Sequence, residues 1–531
     1  MFARTKTLKN KDGSVRQYLQ IVENRRENGK TKQKVLCTLG RLEDLQDGTL
    51  DRLIDSLAKF TEKRVVLNGA QELFAAWSRE YGPVMVFRRL WEKTGLAAIL
   101  DNLVTQTKIE FSVSEAVFAM VLNRLMDPQS KIQVSQWAHE VVCEPRFASL
   151  KPHHYYRALD FLAERKGTIE EQLFLMDTDL FSRNLDIVFF DTTSTYFEGR
   201  AEGELAQYGY SKDHRPDRKQ VLIGLLMTQD GTPIAHDVLP GNTSDVKAFL
   251  QTIENCRHRF NIRRVIMVAD RGMVSKSTIR ALEEAGYEYI VGARMRRAKE
   301  AAEVLRRGGR YQKVSANLEV KSVVVLDDDI LDERRYVVCY NPEEAARDAK
   351  VREELLAKLK EKLKEDAKSL IGNSGYRKYL TIDKEHVTLN EDRIRDEARY
   401  DGKYVLRTNT ELPAAQVAQA YKQLWMVEQA FRELKSQLDL RPMYHWTDTR
   451  IRGHVAICFL AFYLECRLRQ LLQVARPDLS CSKVRRDLES IKAVRLTING
   501  KDFIVRTQIQ GDAYWGFKAV GLRVPSQVME L

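Results

Sequence analysis

The sequence has few of the features that indicate a zinc-binding or secreted protein. Seven cysteines are scattered along the chain, and no two of them form a Cys-x2-Cys pair, so a zinc site of the usual ligand spacing is not predicted. An odd, scattered set of cysteines is typical of reduced thiols in a cytosolic protein. The basic start, MFARTKTLKN, lacks the apolar run of a signal peptide. These absences predict a cytoplasmic protein.

Long hydrophobic runs are missing as well. The longest uninterrupted apolar stretch is VAICFLAFYL, residues 455–464, whereas a helix that spans a bilayer takes about 20 residues. This stretch predicts a buried helix, and we expect no membrane contact. Low-complexity linkers and internal repeats are also absent from the sequence.

Positive charge, in contrast, is in excess. The chain carries 86 Lys and Arg against 74 Asp and Glu, which gives a formal net charge of +12. Such an excess favours a polyanionic partner, most simply nucleic acid. A basic but unspecialised soluble protein is the alternative. With 531 residues, 44% of them hydrophobic and 30% charged, the chain is typical of a globular protein of two to four domains.

The first half of the chain divides into three regions by its apolar periodicity. Residues 1–66 combine a basic β-meander with a helix. Residues 67–184 are predicted to be helical, and a break at Pro128 leaves two interpretations open, a helix-turn-helix or an ordinary helical bundle. Residues 185–293 predict three strands, a helix, a strand, a helix and a strand, which is the order of a mixed α/β layer.

The second half interrupts this layer and then resumes it. Residues 294–405 predict strands around a highly charged helix, which we expect to be solvated or to face a partner. Residues 406–473 return to helices that pack on the layer. Residues 474–531 end in a hairpin. The predicted class is therefore α/β, with an inserted region between two parts of one layer.

Two aspartates each follow an apolar run of the α/β layer. Asp191 comes after IVFF and Asp270 after VIMVA, so both are predicted at the C-terminal edge of the sheet, where sites are usually built. A single aspartate in that place is also a common turn former or helix cap. Together with a third carboxylate they would suit Mg²⁺, and a pair of such ions can activate water and stabilise the leaving oxygen of a phosphodiester.

The stretch YKQLWMVEQAFRELK, residues 421–435, supplies a third carboxylate. An apolar stripe at helical spacing can pack on the sheet, and a neighbouring face carries polar and aromatic side chains. That face comprises Tyr421, Trp425, Glu428, Arg432 and Lys435. In one continuous helix Tyr421, Glu428 and Lys435 fall within about 40° of one another. Glu428 could then complete a metal site while the cations bind phosphates. A solvated surface helix is the alternative.

These residues resemble those of the DDE transposases of bacterial insertion sequences, in the group with the motif Tyr-x2-Arg-x3-Glu-x6-Lys. Tyr421, Glu428 and Lys435 match the motif at the right spacing. DTTSTYF is similar to the first-Asp strand of the family and ADRGMVS to the second-Asp strand. GYSKDHRPDRKQ, LPGNTSD and RPMYHWTDTRIRGHVAICFLAFYL also look like this group. The resemblance covers residues 185–473 and, more loosely, the basic N-terminal region.

The resemblance implies an RNase H-like catalytic core, a mixed sheet flanked by helices, in two parts (185–293 and 406–473). It further implies a β-rich and helical insertion domain and an N-terminal DNA-binding region of strands and helices. Two Mg²⁺ ions, for which Mn²⁺ can substitute, would be held by Asp191, Asp270 and Glu428. Tyr421 and Lys435 would contact the DNA backbone near the cut.

The implied activity is cleavage at the terminal inverted repeats of the element, followed by joining of the freed 3′-OH ends to target DNA. Relatives cut the second strand through a hairpin, and a homodimer on double-stranded DNA is expected in the bacterial cytoplasm, at the nucleoid. A metal-dependent nuclease without strand transfer is the alternative enzyme. A DNA-binding repressor with an inactive catalytic domain is the non-enzymatic one.

The sequence departs from the motif at one position, where Leu424 replaces the arginine. Arg432, one turn after Glu428, is our candidate substitute. Trp425 could stack on an unpaired base near the cut or pack against the insertion domain. His445 and His454 could position the attacking water or contact phosphate near a metal cleft, although helix packing is the better explanation of each.

Overall fold

The structure is a computed structural model. It describes the chain except residues 12, 28–29, 46, 59–72, 178–187, 200, 261–265, 270–274, 294, 296–298, 328–331, 366–375, 377, 383–386, 499–500 and 531. The chain forms two compact units. One comprises Met1–Ala76 with Leu496–Phe503, and the other comprises Trp77–Arg495 with Ile504–Leu531.

The first unit contains an antiparallel meander. Its strands, in the order β1-β2-β3, are β1 (Phe2–Lys9), β2 (Val15–Glu27) and β3 (Lys30–Arg41). Two helices follow, α1 (Leu42–Leu45) and α2 (Thr49–Ala58). Most described side chains of β1 and β3 are exposed, and Val22 and Leu45 are among the few that are buried. The meander is therefore a thin sheet with a small core.

The elements that follow lead from the helical region into the α/β layer. They are β4 (Leu73–Glu80), α3 (Gly82–Lys93), α4 (Leu96–Val104), α5 (Val113–Met126), α6 (Lys131–Glu140), α7 (Pro152–Asp177), β5 (Val188–Tyr196), β6 (Gln220–Thr228), β7 (Pro233–Pro240), α8 (Asp245–Phe260), β8 (Ile266–Ala269), α9 (Lys276–Glu284) and β9 (Glu288–Gly292), with a short 3₁₀ helix at Pro145–Ser149.

The remaining elements belong to the insertion, the second part of the layer and the C-terminal region. They are α10 (Lys299–Arg306), β10 (Gln312–Ser315), β11 (Leu318–Asp327), β12 (Asp332–Tyr340), α11 (Pro342–Glu365), β13 (Leu380–Ile382), β14 (Val387–Leu389), α12 (Glu391–Ala398), β15 (Lys403–Thr408), α13 (Ala414–Gln423), α14 (Trp425–Ser436), α15 (Asp448–Ala475), α16 (Cys481–Glu489), β16 (Lys492–Ile498), β17 (Lys501–Arg506), α17 (Ala513–Val520) and β18 (Val528–Glu530).

A nine-stranded mixed sheet organises the second unit, in the order β10-β11-β12-β15-β9-β8-β5-β6-β7. Strands β5, β6 and β7 are antiparallel neighbours, whereas β8 is parallel to both β5 and β9. Along the chain β5, β6 and β7 follow one another, and α8 and α9 then separate β7, β8 and β9. The order β7-β6-β5-β8-β9 is that of an RNase H-like core. The predicted fold class is confirmed.

The sheet is covered on both faces because the side chains of its strands alternate. Phe189 of β5 lies in the main apolar cluster, together with residues of α13, α14 and α15. Phe190, the next residue, lies in a second cluster with residues of α8 and α9. Successive side chains of a strand point to opposite faces, so Asp191 belongs to the face on which α14 packs.

The strands of the inserted region extend this sheet. β12 pairs with β15, and β15 pairs with β9, so β10, β11 and β12 continue the sheet beyond the core strands. The charged helix α11 is mostly exposed along its described length. Its buried Leu359 packs in a small separate cluster with Leu380 of β13.

The helices between Gly82 and Asp177 are part of the main core. The long helix α15 packs against α5 and α7, and α5 is buried along nearly its whole length. The exposed positions of α6 are Ile132, Gln133, Gln136 and Glu140, none of them a cation. Because a recognition helix needs an exposed face that can contact DNA, these contacts favour the helical bundle over a helix-turn-helix.

Candidate active site

Asp191 lies within strand β5 and not at its end. The strand runs on through Thr192, Thr193, Ser194 and Thr195, which are buried, and pairs with β6 in a register that puts Asp191 opposite Leu225. The sequence interpretation ended the strand at Asp191, which is wrong, because β-branched threonines suit a strand as well as apolar residues do. Asp191 is half-buried, and the backbone amide of Thr192 donates to its Oδ1 at 2.7 Å.

The second predicted aspartate, Asp270, lies outside the described residues. The strand that precedes it, β8, is described as far as Ala269. β8 runs parallel to β5, and Phe189 pairs with Val268. Asp191 lies two residues after Phe189, so it is beyond the described pairs of the two strands, in the direction of the C-terminal end of β8.

Glu428 is an exposed residue of α14, the helix that packs against β5. The residues of α14 that face the core include Val427, Phe431 and Leu434. One face of α14 therefore anchors on the sheet, and Glu428 projects from another. The structure brings together the strand that carries Asp191 and the helix that carries Glu428.

The continuous helix predicted over residues 421–435 is interrupted at Leu424. The amide of Leu424 donates to the carbonyl of Tyr421 at 3.1 Å, and the amide of Val427 donates to the carbonyl of Leu424 at 3.0 Å. These bonds reach back three residues, which tightens the backbone as in a 3₁₀ turn. Leu424 itself is buried in the main core. Tyr421 therefore belongs to α13, whereas Glu428 and Lys435 belong to α14.

The other predicted DNA contacts have different environments. Tyr421 is half-buried, and its ring stacks on Tyr404 with 5.8 Å between the centroids. Arg432 is exposed and forms no ion pair with any residue that the structure describes. Trp425, the first residue of α14, keeps 58% of its surface exposed. Arg432 and Trp425 are thus accessible to a large partner.

Lys435 is largely buried and paired. Its Nζ donates to Oδ1 of Asp213 at 2.7 Å, and only 12% of the Lys435 side chain is exposed. Burial lowers the pKa of Lys435, and the carboxylate of Asp213 opposes that shift. Arg441 donates to the same oxygen, also at 2.7 Å. The sequence predicted a cation here but not its buried partner.

A loop between β5 and β6 carries Asp213 to this place. The Nζ of its neighbour, Lys212, donates to the carbonyl of Thr192 at 2.8 Å and to the Thr192 hydroxyl at 2.6 Å. The Lys212 amide donates to Ser194 Oγ at 2.9 Å. Two successive residues thus tie the loop to β5 next to Asp191 and to α14 at Lys435. The block GYSKDHRPDRKQ, residues 209–220, indicated in the sequence that this loop belongs to the catalytic region. The resemblance gave no role to Lys212 or Asp213 within it.

Comparison with known proteins supports the same interpretation. A model described as the transposase DDE domain matches residues 183–464, more than half of the chain, and one described as the IS1634 family transposase N-terminal domain matches residues 3–72. The chain belongs to the DDE transposases. It is therefore an enzyme of DNA transposition, a process of DNA cleavage and strand transfer.

Solved structures of other transposases are also similar to this DDE transposase. The piggyBac transposase synaptic complex with hairpin DNA is 10% identical over 77% of this chain and 79% of that chain, with a TM-score of 0.35. The Mos1 paired-end complex with the left transposon end is 15% identical over 45% and 66%, with a TM-score of 0.14. At these TM-scores the structures add nothing to the family match. No curated protein matches the chain.

DDE transposases depend on divalent metal ions, and the described part of the site fits such an ion. Asp191 and Glu428 carry carboxylate oxygens, the type of ligand that hard divalent cations take. Within the part of the chain that the structure describes, no three His, Cys, Asp or Glu side chains form a metal-binding group. The third predicted ligand of this DDE transposase, Asp270, is not in that part.

The two histidines considered from the sequence have lowered pKa values. Burial lowers the pKa of His445 to about 3, with smaller contributions from Lys131 and Arg124. Burial likewise lowers the pKa of His454, whose Nδ1 lies 3.5 Å from Nζ of Lys131. Both imidazoles are therefore neutral at neutral pH, which favours helix packing over phosphate binding. In the described residues of this transposase, no helix has the length and apolarity needed to cross a membrane.

Proposed function

We propose that this transposase cuts double-stranded DNA at the terminal inverted repeats of its own insertion sequence and joins the freed 3′-OH ends to target DNA. The observation that carries the proposal is the packing of α14, with Glu428, against β5, with Asp191, in a chain whose DDE domain match spans both elements. Carboxylates are the ligands through which a protein holds Mg²⁺ at a phosphate, and a pair of such ions can stabilise the attacking and leaving oxygens of a phosphodiester.

Asp191, Asp270 and Glu428 hold two Mg²⁺ ions in this proposal, and Mn²⁺ can substitute. The ions supply Lewis acidity at the scissile phosphate and lower the pKa of bound water. The residues of the chain do the rest. The carboxylates fix the ions, and the rigid strand β5 keeps Asp191 in place through the bond from the Thr192 amide. The anchored face of α14 holds Glu428 relative to the sheet.

Four residues contact the DNA in this proposal. Lys435 and Tyr421 bind backbone near the cut, and the exposed Arg432 binds a phosphate further along the strand. Trp425 offers an accessible aromatic surface on which an unpaired base could stack. We also propose that two copies of the chain hold the two ends together, and that the second strand is cut through a DNA hairpin.

Substitution of the carboxylates tests the metal site. We expect Asp191→Asn, Asp270→Asn and Glu428→Gln each to reduce the single-turnover cleavage rate by about a thousandfold or more, since each removes a charge from the metal site, while DNA affinity changes little. The measurement is strand cleavage of a duplex carrying the inverted repeat that flanks the gene, in Mg²⁺ and in Mn²⁺. Glu202→Gln, an exposed residue of the loop after β5, is the matched control.

Each outcome separates one part of the proposal. If cleavage survives one of the three substitutions, the substituted residue is not a ligand of the metal ions. If a pre-cut end is never joined to a supercoiled target, the protein is a nuclease without strand transfer. Denaturing gels show whether a hairpin forms, and mass photometry with end DNA shows whether the complex holds two copies.

A further inference from the structure

The carboxylate of Asp213 is the buried centre of a charge cluster beside the candidate active site. Only 2% of its side chain is exposed, and Lys435 and Arg441 both donate to its Oδ1 at 2.7 Å. Its other oxygen, Oδ2, is buried and has no hydrogen-bond partner among the described residues. A buried carboxylate is costly unless it is paired, so the two cations hold it in place and it holds them.

The cluster carries a net positive charge. Lys435 and Arg441 together carry two positive charges against the single negative charge of Asp213. A lysine ammonium has three donors and a guanidinium has five, and one donor of each points at Asp213. Arg441 keeps 40% of its side chain exposed. The remaining donors can bind an anion that arrives from solvent, and paired cations bind phosphate oxygens well.

The place of the cluster suggests which anion it binds. Lys212, the residue before Asp213, is anchored on Thr192, the residue after Asp191. Lys435 lies in the last turn of the helix that carries Glu428. The cluster is thus connected at one end to the strand and at the other to the helix that supply the proposed metal ligands. A phosphate held there would lie next to the proposed metal site, where the DNA strand is cut.

We propose that Asp213 is a positioning residue that holds Lys435 and Arg441 together as a paired binding site for a DNA phosphate next to the scissile bond. The proposal rests on the proposed function. It gives Arg441 the phosphate-binding task that the motif assigns to the position of Leu424. Direct metal binding by Asp213 does not fit, because Lys435 and Arg441 at 2.7 Å from its Oδ1 would repel a divalent cation at the same carboxylate.

A different role for the same contacts makes the opposite prediction. If Asp213 were a latch that imitates a phosphate and blocks the cations until DNA arrives, its removal would free them. Asp213→Asn would then bind DNA more tightly and cleave at least as fast as the unsubstituted protein. If Asp213 positions the cations, the same substitution leaves them less well oriented, and cleavage slows.

Asp213→Asn is the central variant because it keeps the shape of the side chain and removes its charge. We expect the single-turnover cleavage rate at saturating end DNA to fall by about tenfold to a hundredfold, the effect of a small misplacement of groups that orient a substrate. The dissociation constant should stay within about threefold, because general attraction to the backbone persists. Asp217→Asn is the matched control, since Asp217 is on the same loop, is exposed and pairs with Arg215 instead.

A double-mutant cycle shows whether Asp213 acts through Lys435. Lys435→Met and Asp213→Asn are compared singly and together. We expect Asp213→Asn to slow cleavage less in the Lys435→Met background than in the unsubstituted protein, because only its effect through Arg441 remains, whereas independent effects would multiply. Three results would each overturn the proposal. The effects of Asp213→Asn and Lys435→Met on the cleavage rate could multiply, Asp213→Asn could cleave at the same rate as Asp217→Asn, or Asp213→Asn could show the faster cleavage expected of a latch. If the unsubstituted protein cleaves no end DNA while Asp191→Asn is equally inactive, the proposed function itself has failed.

Discussion

Leu424 stands at the motif position where related transposases carry arginine, and its side chain is part of the main core. It is 6% exposed, and it lies at the tightened turn between α13 and α14. A charged side chain at this point would have to leave the core or be buried without a partner. The departure from the motif is therefore explained by packing, and it need not reflect a loss of activity.

Substitution of Leu424 by arginine tests this explanation. We expect Leu424→Arg to reduce the free energy of unfolding by about 2–5 kcal/mol, the range for removing a buried leucine side chain, without raising the cleavage rate. Leu424→Met, which conserves volume, should cost less than about 1.5 kcal/mol. Urea unfolding measures both. An arginine variant that is as stable as the unsubstituted protein and cleaves faster would show that this position can contact phosphate.

At the scale of elements, the order of the core strands could be predicted from the sequence, but the exact end of β5 and the break between α13 and α14 could not. The runs around β5, β6, β7, β8 and β9 have clear periodicity and bounded lengths, and the structure has them in the predicted order. The extension of β5 past Asp191 was missed because the prediction followed hydrophobicity alone. The break at Leu424 was missed because a local change from i→i−4 to i→i−3 backbone hydrogen bonds leaves the spacing of the apolar residues almost unchanged.

A buried ion network joins α7 to β7 and α8. Glu170 is 2% exposed and lies 2.8 Å from His236 Nδ1, 2.6 Å from Arg259 Nη2 and 3.2 Å from Lys166 Nζ. Burial raises the pKa of Glu170, but Lys166, His236 and Arg259 outweigh it and bring the pKa down to about 2. The network therefore stabilises the ionised carboxylate and ties the helical region to the sheet.

Removal of the Glu170 charge should destabilise the protein in a pH-dependent way. We expect Glu170→Gln to cost about 3–5 kcal/mol at pH 7, because it removes the carboxylate that pairs with Arg259 and one of the two carboxylates that pair with Lys166. A carboxyl whose folded pKa is lowered stabilises the fold above its unfolded value of 4.5 and loses this effect as the pH falls toward about 2. The difference in melting temperature between variant and unsubstituted protein should therefore shrink across that window. Glu171→Gln, at the next, half-buried position, is the control, and a difference independent of pH would contradict the role of this charge.

At the scale of the whole molecule, contacts between distant residues lay beyond sequence reasoning. Lys435 and Asp213 are 222 positions apart, and nothing in the periodicity of either segment pairs them. The resemblance to the family suggested which carboxylates matter and where the catalytic layer lies, because it concerns short blocks of fixed order. It could not supply the buried partner of Lys435, since that depends on how the loop between β5 and β6 folds over the sheet.

The net charge of +12 is a property of the whole chain, and its effect on DNA binding can be assigned to regions by salt dependence. The exposed cations of the meander include Lys6, Lys9 and Lys11. Each phosphate contact contributes about 0.9 to the slope of log affinity against log salt. If all three bind phosphate, their joint replacement by glutamine should lower the steepness of that slope by about 2.7.

Fluorescence anisotropy with the end duplex at several salt concentrations measures the slope. The control replaces Lys350, Lys358 and Lys360 of α11, which are exposed but have carboxylates such as Glu354 and Glu361 on the same helix. Those carboxylates repel phosphate, so the slope should change by less than about 1. Equal changes for the two triple variants would mean that the positive charge acts as a general field, and that the meander is not a DNA-contacting surface.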